Sequence, residues 1–204
     1  DTWVKLIRVL THEIMNTLTP VISISKTLLD ESEGACREGL QIIYKTSNEL
    51  IAFVDNYRKF THLPQPIPDT FYLNPFLERM ATLAAHDVAV RVTPKDLMVY
   101  ADEGLIARVV TNLLKNATEA IDTDGHITIS AYTDAEERVV IDVTNDGRPI
   151  PPEIASNIFV PFFTTKPEGS GIGLPISRQI MGLSNGSISL VEDEGKTTFR
   201  LVFY

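Results

Sequence analysis

The chain has 204 residues, of which 44% are apolar and 22% charged, a composition typical of folded globular proteins that excludes intrinsic disorder. A net charge of −9 without any basic run argues against nucleic-acid binding, and a single cysteine, Cys36, excludes a disulfide framework or a cysteine-rich zinc site. No apolar run approaches the roughly 18 residues of a membrane span, and no signal peptide opens the chain, so we expect no membrane contact here and a reducing, cytoplasmic location. Because helical sequence starts at once, we expect a piece of a longer protein, whose missing part would carry any membrane anchor.

The first third of the chain predicts a helical hairpin over residues 1–62. Apolar side chains recur at alternating spacings of four and three, which defines a heptad seam. A second helix is predicted from Leu40 to near Thr61, and three prolines then indicate a stiff linker over residues 63–69. The predicted seam of the first helix comprises Trp3, Ile7, Leu10, Ile14, Thr17, Val21, Ile24 and Leu28. Since two helices cannot bury both seams alone, we expect a homodimeric four-helix bundle, with packing on the rest of the chain as the alternative.

A histidine stands on the other side of the first helix. At about 100° per residue, His12 falls roughly opposite the seam and is expected to be exposed. Asn16 lies one turn further along that side, and Glu13 lies at its edge. Pro20 removes the N–H that the Asn16 carbonyl would accept, so a kink is expected there. Taken alone, an exposed histidine is an ordinary solvated residue.

The remainder, residues 70–204, predicts an α+β two-layer sandwich, because helices and mostly antiparallel strands follow one another in blocks. Predicted strands cover residues 71–73, 88–93, 97–101, 126–133, 138–144, 187–191 and 197–203, and predicted helices cover residues 74–85, 103–121, 152–158 and 172–181. Asn74 and Asp102 are the expected caps of the first two helices, and Cys36 is expected at the tip of the N-terminal hairpin.

The long helix carries two asparagines on one face. Asn112 and Asn116 are four residues apart, and carboxamide oxygens are suitable ligands for a hard cation such as Mg²⁺. Lys115 could reach a phosphate. The simpler alternatives are a polar helix face and a solvated lysine.

Residues 145–151 follow a strand with the sequence Asn-Asp-Gly-Arg-Pro-Ile-Pro. Gly147 permits a turn and the close approach of a flat ring, and either Asn145 or Asp146 could accept a hydrogen bond from an exocyclic amine. Asn-Asp-Gly is also good turn chemistry by itself, so a simple turn remains the alternative.

Two further segments complete the set. Phe159, Phe162 and Phe163 could anchor a lid beside a loop, or could form a core cluster. Gly169, Gly171 and Gly173 open a helix, where backbone N–H groups can converge on phosphate oxygens. The Rossmann alternative fails, because no parallel βαβ unit or following acidic residue accompanies these glycines.

In this order the segments resemble the catalytic portion of a sensor histidine kinase. His12-Glu13-Ile-Met-Asn16 with Pro20 is similar to the H box, residues 112–117 to the N box, Asp146-Gly147 to the G1 box, residues 159–163 to the F box and residues 169–174 to the G2 box. Gly195-Lys-Thr-Thr-Phe199 resembles the final G-T-x-F strand. The resemblance covers nearly the whole chain and implies the Bergerat ATP-binding fold.

The resemblance also implies the chemistry. ATP would bind among the boxes, with Mg²⁺ held by Asn116 and Asn112, and the γ-phosphoryl group would pass to His12 and then to an aspartate in the receiver domain of a response regulator. Glu13 would act as base or orient the imidazole, and Asn16 would align a water if the protein also dephosphorylates that regulator. The implied nucleotide-binding residues are Asn112, Lys115, Asn116, Asn145, Asp146, Gly147, Phe159, Phe163, Lys166, Gly169, Gly171, Gly173, Leu174 and Thr198.

One departure from the family stands in the G1 box. The family pattern is Asp-x-Gly-x-Gly, and its Asp accepts from adenine; here Asn145 takes the Asp position and Pro149 the second Gly. An uncharged acceptor is weaker, and Asp146 could substitute only with a one-residue shift. This departure keeps a second hypothesis open, in which the chain is a nucleotide-binding regulatory scaffold with weak kinase activity.

Overall fold

The computed structural model describes residues 2–31, 33–61, 63–166, 169–193 and 195–204, and within these it leaves out the side chains of residues 2–13, 31, 35, 192 and 193. The chain divides into two compact units between Pro64 and Gln65. None of the helices in the described ranges is both long and apolar enough to cross a membrane.

The N-terminal unit is a helical hairpin of α1 (Thr2–Glu31) and α2 (Gly34–Thr61). The prediction that α2 begins at Leu40 was wrong: the helix starts at Gly34, whose φ of +64° makes the tight turn out of α1. Cys36 is therefore an exposed residue of the first turn of α2 and does not lie in a loop. The sequence pattern did not indicate this start, because the first turn of α2 is polar and the apolar spacing begins only at Leu40.

The predicted seam of α1 does not face α2. In its described part, Ile14, Val21, Ile24 and Leu28 are all exposed, and Ile24 is 60% exposed. The residues that are buried or half-buried form a second stripe at heptad spacing, which comprises Met15, Leu18, Ile22, Ser25 and Leu29. The helix thus carries two adjacent apolar stripes. The inner stripe packs within the hairpin, and the outer stripe is uncovered in the single chain.

The side chains of His12 and Glu13 lie outside those that the structure describes, so their predicted exposure stays a prediction. Both residues belong to α1, which continues through Pro20 to Glu31 without interruption.

The C-terminal unit contains β1 (Asp69–Tyr72), α3 (Leu73–Thr82), β2 (Val88–Thr93), β3 (Met98–Ala101), α4 (Glu103–Ala120), β4 (Ile127–Thr133), β5 (Val139–Asn145), α5 (Pro152–Ala155), α6 (Gly173–Leu183), β6 (Gly186–Asp193) and β7 (Lys196–Phe203). Five strands form a sheet in the order β2-β4-β5-β7-β6, in which only the β2–β4 pairing is parallel. Strands β1 and β3 form a separate antiparallel pair. The expected α+β sandwich with a mostly antiparallel sheet is confirmed.

The core lies between the sheet and its helices. Buried positions of α4 recur at helical spacing and include Leu105, Val109, Leu113 and Ala117, which the sequence pattern predicts. They pack over the inner face of the sheet, where Ile129 and Ile141 are fully buried. Burial of this apolar stripe fixes the orientation of α4 and places its polar face along the edge of the core.

Two predicted helix caps have different outcomes. The Asp102 side chain accepts a hydrogen bond from the N–H of Leu105 at 2.9 Å, so it caps α4 as expected. Asn74 does not cap α3: that helix begins at Leu73, whose N–H donates to the carbonyl of Leu97 at 2.9 Å. A tertiary hydrogen bond therefore replaces the local cap, and Pro75 fits the first turn because its missing N–H has no partner there.

Candidate functional site

The polar face of α4 meets the first turn of α6 through Asn112. Its Nδ2 donates to the hydroxyl of Ser177 at 3.1 Å, and that hydroxyl donates to the carbonyl of Gly173 at 3.0 Å. A Cβ atom at Gly173 would lie only 2.2 Å from the Asn112 Oδ1. Any side chain at position 173 would therefore displace the Asn112 amide from its present position.

One turn further along α4, the side-chain oxygen of Asn116 accepts a hydrogen bond from the ammonium group of Lys166. The Nζ of Lys166 lies 3.3 Å from the Asn116 Oδ1 and also forms an ion pair with the carboxylate of Glu119. Lys115 also pairs with the Glu119 carboxylate, with its Nζ 3.8 Å away, and its side chain is 74% exposed. Two oxygen-bearing side chains on one helix face thus already hold a positive charge.

The described residues of the segment that carries Lys166 are 159–166 and 169–171. The backbone of Phe162 has a φ of +67°, and its N–H donates to the carbonyl of Gly171 at 2.9 Å. Gly171 has a φ of +65°, and a Cβ there would lie 2.5 Å from the Phe162 carbonyl carbon. The aromatic segment and the glycine segment are therefore one unit, closed by this backbone contact.

The three phenylalanines differ from a core cluster. Phe159, Phe162 and Phe163 are all half-buried. The guanidinium of Arg178 lies over the ring of Phe159 at 5.5 Å. Both residues line an open cavity of about 430 Å³, which Ile188 and Leu190 also line. A smaller cavity of about 160 Å³ lies between Asn112, Ser170 and Gly173. The smaller cavity is the one that adjoins the polar face of α4.

The other end of the polar face is closed by the turn that follows β5. A Cβ atom on Gly147 would lie 2.3 Å from the carbonyl oxygen of Ala120, and the N–H of Arg148 donates to that same oxygen at 2.9 Å. Gly147 is needed because the turn packs directly on the last residue of α4. Its φ lies outside the left-handed region, so the predicted turn requirement is not the reason.

Asn145 is the polar side chain that this turn buries. It is 3% exposed, and its Oδ1 accepts a hydrogen bond from the N–H of Gly147 at 3.1 Å. Directly opposite on β7 lies Thr197, also 3% exposed. Among the described residues its hydroxyl oxygen has no hydrogen-bond partner. Two buried polar groups with unused hydrogen-bonding capacity therefore stand side by side on the inner face of the sheet.

Asp146 faces the other way. Its carboxylate accepts from the backbone N–H of His126 at 2.7 Å and pairs with the His126 Nδ1 at 3.0 Å. These contacts, the backbone hydrogen bond above all, lower the pKa of the Asp146 carboxyl. Asp146 is thus occupied in joining the turn to the start of β4, so the one-residue shift considered for it is disfavoured.

Residues 101–204 match the family described as histidine kinase-, DNA gyrase B- and HSP90-like ATPase. The chain belongs to this family. Over 203 residues it is 30% identical to the sensor histidine kinase ZraS of Escherichia coli. The match covers 93% of this chain and 43% of that protein. It is 28% identical over 210 residues to the sensory histidine kinase/phosphatase NtrB of Rhodobacter capsulatus, covering 94% and 59%. The chain therefore spans only about two fifths to three fifths of the length of these relatives.

The chain is also similar to solved structures of histidine kinases. The catalytic domain of histidine kinase ThkA is 34% identical, with a TM-score of 0.60, and the match covers 67% of this chain and 94% of that domain. ThkA in complex with the response regulator protein TrrA matches 98% of this chain and 60% of the solved chain at 26% identity and a TM-score of 0.65. The Bergerat fold expected from the sequence is confirmed.

Within this fold, the predicted Thr198 and its neighbour Thr197 lie on opposite faces of the final strand. Thr198 pairs with Thr144, and their hydroxyl oxygens lie 2.9 Å apart. This pair lies on the sheet face opposite Asn145, because successive residues of a strand alternate between faces. The sequence interpretation missed Thr197, although it is the threonine two residues before Phe199 and therefore fits the G-T-x-F pattern better.

The remaining predicted residues collect at the N-terminus of α6. Gly169 packs against Thr164, since a Cβ there would lie 2.3 Å from its hydroxyl oxygen. Leu174 is half-buried in the first turn of α6. Asn112 and the glycines thus meet at one end of the candidate site, and Asn145 and Gly147 lie at the other.

The donor set of the candidate site fits Mg²⁺ at one of the two predicted ligands. Asn116 and Glu119 offer a carboxamide and a carboxylate oxygen, both of which accept the Lys166 ammonium in the structure. Mg²⁺ prefers such oxygen ligands and retains several waters. The Asn112 amide is instead engaged by Ser177 and lies against Gly173. No cluster of three or more His, Cys, Asp or Glu side chains that could hold a metal occurs within the described part of the chain.

Proposed function

We propose that this chain is the catalytic portion of an ATP-dependent protein-histidine kinase, with His12 as the phosphoacceptor. The main support is that the N, G1, F and G2 boxes lie together around α4 and α6. In the same chain, α1 contains the sequence His-Glu-Ile-Met-Asn. In domain terms, residues 1–62 would form the phosphoacceptor hairpin, 63–69 a linker and 70–204 the ATP-binding domain.

ATP binds along the polar face of α4 in this proposal. The base lies at the end where Asn145 and Thr197 are buried, and the phosphates lie at the N-terminus of α6, where backbone N–H groups and the helix dipole favour negative charge. Lys115 is free to turn toward a phosphate, being largely exposed. The half-buried Phe159 and Phe163 anchor the segment over the nucleotide.

Asn116 would hold Mg²⁺ together with phosphate oxygens and water, and Asn112 would assist after releasing Ser177. Support comes from the cation that Asn116 and Glu119 already accept. When bound, the ion would neutralise charge on the phosphates. Lys166 must then leave Asn116, and its ammonium becomes available to the γ-phosphate.

Phosphoryl transfer forms a bond between an imidazole nitrogen of His12 and the γ-phosphorus, while the bond from that phosphorus to the bridging oxygen of ADP breaks. Glu13 orients the imidazole or accepts its proton, and Asn16 positions a water that hydrolyses the phosphorylated aspartate of the response regulator. These assignments rest on the sequence of the H box, because the side chains of residues 12 and 13 are not described.

A homodimer completes the N-terminal unit in this proposal. The exposed side chains of Ile14, Val21, Ile24 and Leu28 form an apolar stripe on α1, with Thr17 between the first two. Covering it with the same stripe of a second copy gives the four-helix bundle that the heptad spacing favours. The acceptor of the phosphoryl group would be an aspartate in a response-regulator receiver domain, and the location would be cytoplasmic.

Autophosphorylation with γ-labelled ATP tests the proposal. The wild-type chain should acquire a label that is stable in base and lost in acid, as expected of a phosphoramidate. His12→Gln should lose this label, whereas His62→Gln, a matched substitution in the same unit, should retain it. A label of wild-type size in His12→Gln would overturn the assignment of the phosphoacceptor.

The scaffold hypothesis predicts a different outcome of the same experiment. ATP would bind to the wild-type chain, measured by calorimetry, but no acid-labile label would form. Asn145 in place of the family's aspartate is the observation that keeps this second function in view.

A further inference from the structure

Strand β6 lies at one end of the five-stranded sheet and has a neighbouring strand, β7, on one side only. Its register against β7 runs without a bulge from Gly186 to Asp193. Folded proteins usually protect such an edge with a charged residue, a proline or a bulge. Residues 187–191, with the sequence Ser-Ile-Ser-Leu-Val, contain no charge and no proline, whereas the strand at the other end, β2, carries Arg91. The free edge of β6 is therefore unprotected.

The backbone groups that point to this free edge are those of Ile188 and Leu190. The N–H of Tyr204 donates to the carbonyl of Asn185 at 3.0 Å, and the register places these two residues opposite each other, so they form a hydrogen-bonded pair. Such pairs alternate with pairs whose N–H and C=O groups turn away from the partner strand. Three and five residues after Asn185, Ile188 and Leu190 belong to the outward-facing set. Neither donates to, nor accepts from, the backbone of another element in the described part of the chain.

A groove follows the same edge. It is the open cavity of about 430 Å³, which is lined by Ala155, Phe159, Arg178, Ile188, Ser189 and Leu190. Successive residues of a strand point to opposite faces, so three consecutive residues share one cavity where it follows the edge of the strand. Its volume lies within the range of about 300–1,000 Å³ that is typical of ligand sites. An added strand would thus find both backbone partners and space for its side chains.

The groove combines an apolar surface with one cation. Ala155, Phe159 and Leu190 supply the apolar part, and the guanidinium of Arg178 lies 5.5 Å from the centre of the Phe159 ring. Arg178 is exposed, and it takes part in none of the ion pairs formed among the described side chains. In a chain with a net charge of −9, a cation without a carboxylate partner beside a groove favours an acidic ligand.

We propose that the free edge of β6 and this groove bind an extended acidic segment of a partner protein, which joins the sheet as a sixth strand. The backbone of that segment pairs with Ile188 and Leu190, as in other cases of strand addition. Every second side chain of the segment faces the helices. One of these is apolar and packs on Phe159, and another, two residues away, is a carboxylate that meets Arg178. The inference goes beyond the proposed nucleotide site and does not rest on it.

Fluorescence anisotropy on the full chain, without nucleotide, tests the proposal with the labelled peptide Thr-Val-Thr-Glu-Thr-Val-Thr. The peptide reads the same in both directions, so the test presupposes no strand direction. We expect saturable binding that weakens about fivefold when glutamine replaces the glutamate, the size of effect of one partly exposed ion pair.

Two N-methylated peptides test whether the ligand binds as a strand. One carries methyl groups on its valine and glutamate nitrogens, and the other carries them on its threonine nitrogens. These two sets of N–H groups point to opposite edges of an extended peptide, and only one edge can pair with β6. We therefore expect only one of the two peptides to bind.

Variants of the chain test the proposed contacts. Arg178→Gln should weaken the glutamate peptide about fivefold and leave the glutamine peptide unchanged. Arg91→Gln removes an exposed charge from the strand at the other end of the sheet and should change neither affinity. Peptide binding should also slow hydrogen exchange at the amides of Ile188 and Leu190, whereas those of Ser187 and Ser189 already bond to β7.

Three results would overturn the proposal. The first is the absence of saturable binding at millimolar peptide, or equal binding of both N-methylated peptides. The second is an equal effect of Arg178→Gln on the glutamate and glutamine peptides, which would exclude an acidic ligand. The third is self-association that persists in Ile24→Glu without peptide binding, which would assign the edge to a second copy. None of these results bears on the proposed kinase activity.

Discussion

The Nζ of Lys166 lies 3.3 Å from the Oδ1 of Asn116 and at the same time pairs with Glu119. A residue of the segment after the F box thereby contacts the C-terminal end of α4. The contact occupies the oxygen at which we propose that Mg²⁺ binds. The structure therefore has the segment held by its own lysine, and nucleotide with metal must displace that lysine.

Removing this lysine should loosen the segment. We expect Lys166→Ala to increase the rate of chymotrypsin cleavage after Phe162 or Phe163 a few-fold, and not more, because partly exposed ion pairs contribute at most about 1 kcal/mol. Lys115→Ala removes the other lysine that pairs with Glu119 and should change the rate little. Equal cleavage rates in the two variants would show that Lys166 does not hold the segment.

Adding a methyl group to Gly147 should destabilise the C-terminal unit. The new Cβ would lie 2.3 Å from the Ala120 carbonyl oxygen, and backbone atoms cannot move aside as a flexible side chain can. We expect Gly147→Ala to lower the free energy of unfolding by about 1–3 kcal/mol, a typical overpacking effect, in urea titrations followed by circular dichroism. Gly182→Ala, in α6 with no atom within 4 Å of its Cβ, should instead stabilise by up to about 1 kcal/mol. A Gly147→Ala variant as stable as wild type would contradict this packing.

The cap of α4 should give a pH-dependent contribution to stability. Asp102 accepts from the N–H of Ile67 at 2.8 Å and from that of Leu105 at 2.9 Å, and these hydrogen bonds lower its pKa. A lowered pKa stabilises the fold above the unfolded value of about 3.9, and this contribution disappears as the pH falls through the folded pKa. We expect Asp102→Ala to cost about 1 kcal/mol at pH 7. Asp102→Asn should retain part of the cap without the pH dependence, and identical acid profiles for wild type and Asp102→Asn would refute this.

The outer face of the sheet carries a second titrating group. Burial raises the pKa of the Tyr132 hydroxyl, and the nearby carboxylate of Asp142, 3.1 Å away, raises it further. The neutral phenol therefore stabilises the fold fully below the unfolded pKa of about 10, and the contribution is lost as the pH rises through the folded value. Asp142→Asn should lower the Tyr132 pKa, measured from the tyrosinate absorbance that Tyr132→Phe removes. An unchanged titration would indicate that burial alone is responsible.

The outer stripe of α1 should control the oligomeric state. Ile24 is 60% exposed in the single chain, and a charge placed there should prevent its burial against a second copy. We expect Ile24→Glu to convert a dimer into a monomer in light-scattering measurements. Lys26→Glu, on the opposite side of the same helix, should remain dimeric. A wild-type chain that is monomeric at all concentrations would refute the four-helix bundle.

Capping residues and the spacing of apolar residues were enough to predict much of the C-terminal unit. Asp102 before an apolar helical stripe predicted the start of α4, and alternation predicted that β4 and β5 pair as a hairpin. Positions that depend on long-range pairing could not be read in this way. Whether Thr197 or Thr198 faces inward is decided by the register of β7 against β5, and a shift of one residue exchanges the two faces.

The N-terminal unit shows a different limit of prediction from sequence. A heptad pattern reveals that a stripe exists, but not which neighbour covers it. In α1 the stripe that includes Ile24 and Leu28 lies outside, and a stripe that includes Ser25 faces α2. The serine is compatible with burial because its hydroxyl donates to the carbonyl of Val21 at 2.6 Å.

Because the turn at Gly147 rests on Ala120, a single helix carries both ends of the proposed site. Asn116 and Ala120 are one turn apart, about 6 Å along the axis of α4. The distance between the residues proposed to select the base and those proposed to contact the phosphates is therefore fixed by one rigid helix, α4. A substitution that tilts or shifts α4 would move both ends of the site together. The affinities for the base and for the triphosphate would therefore change together.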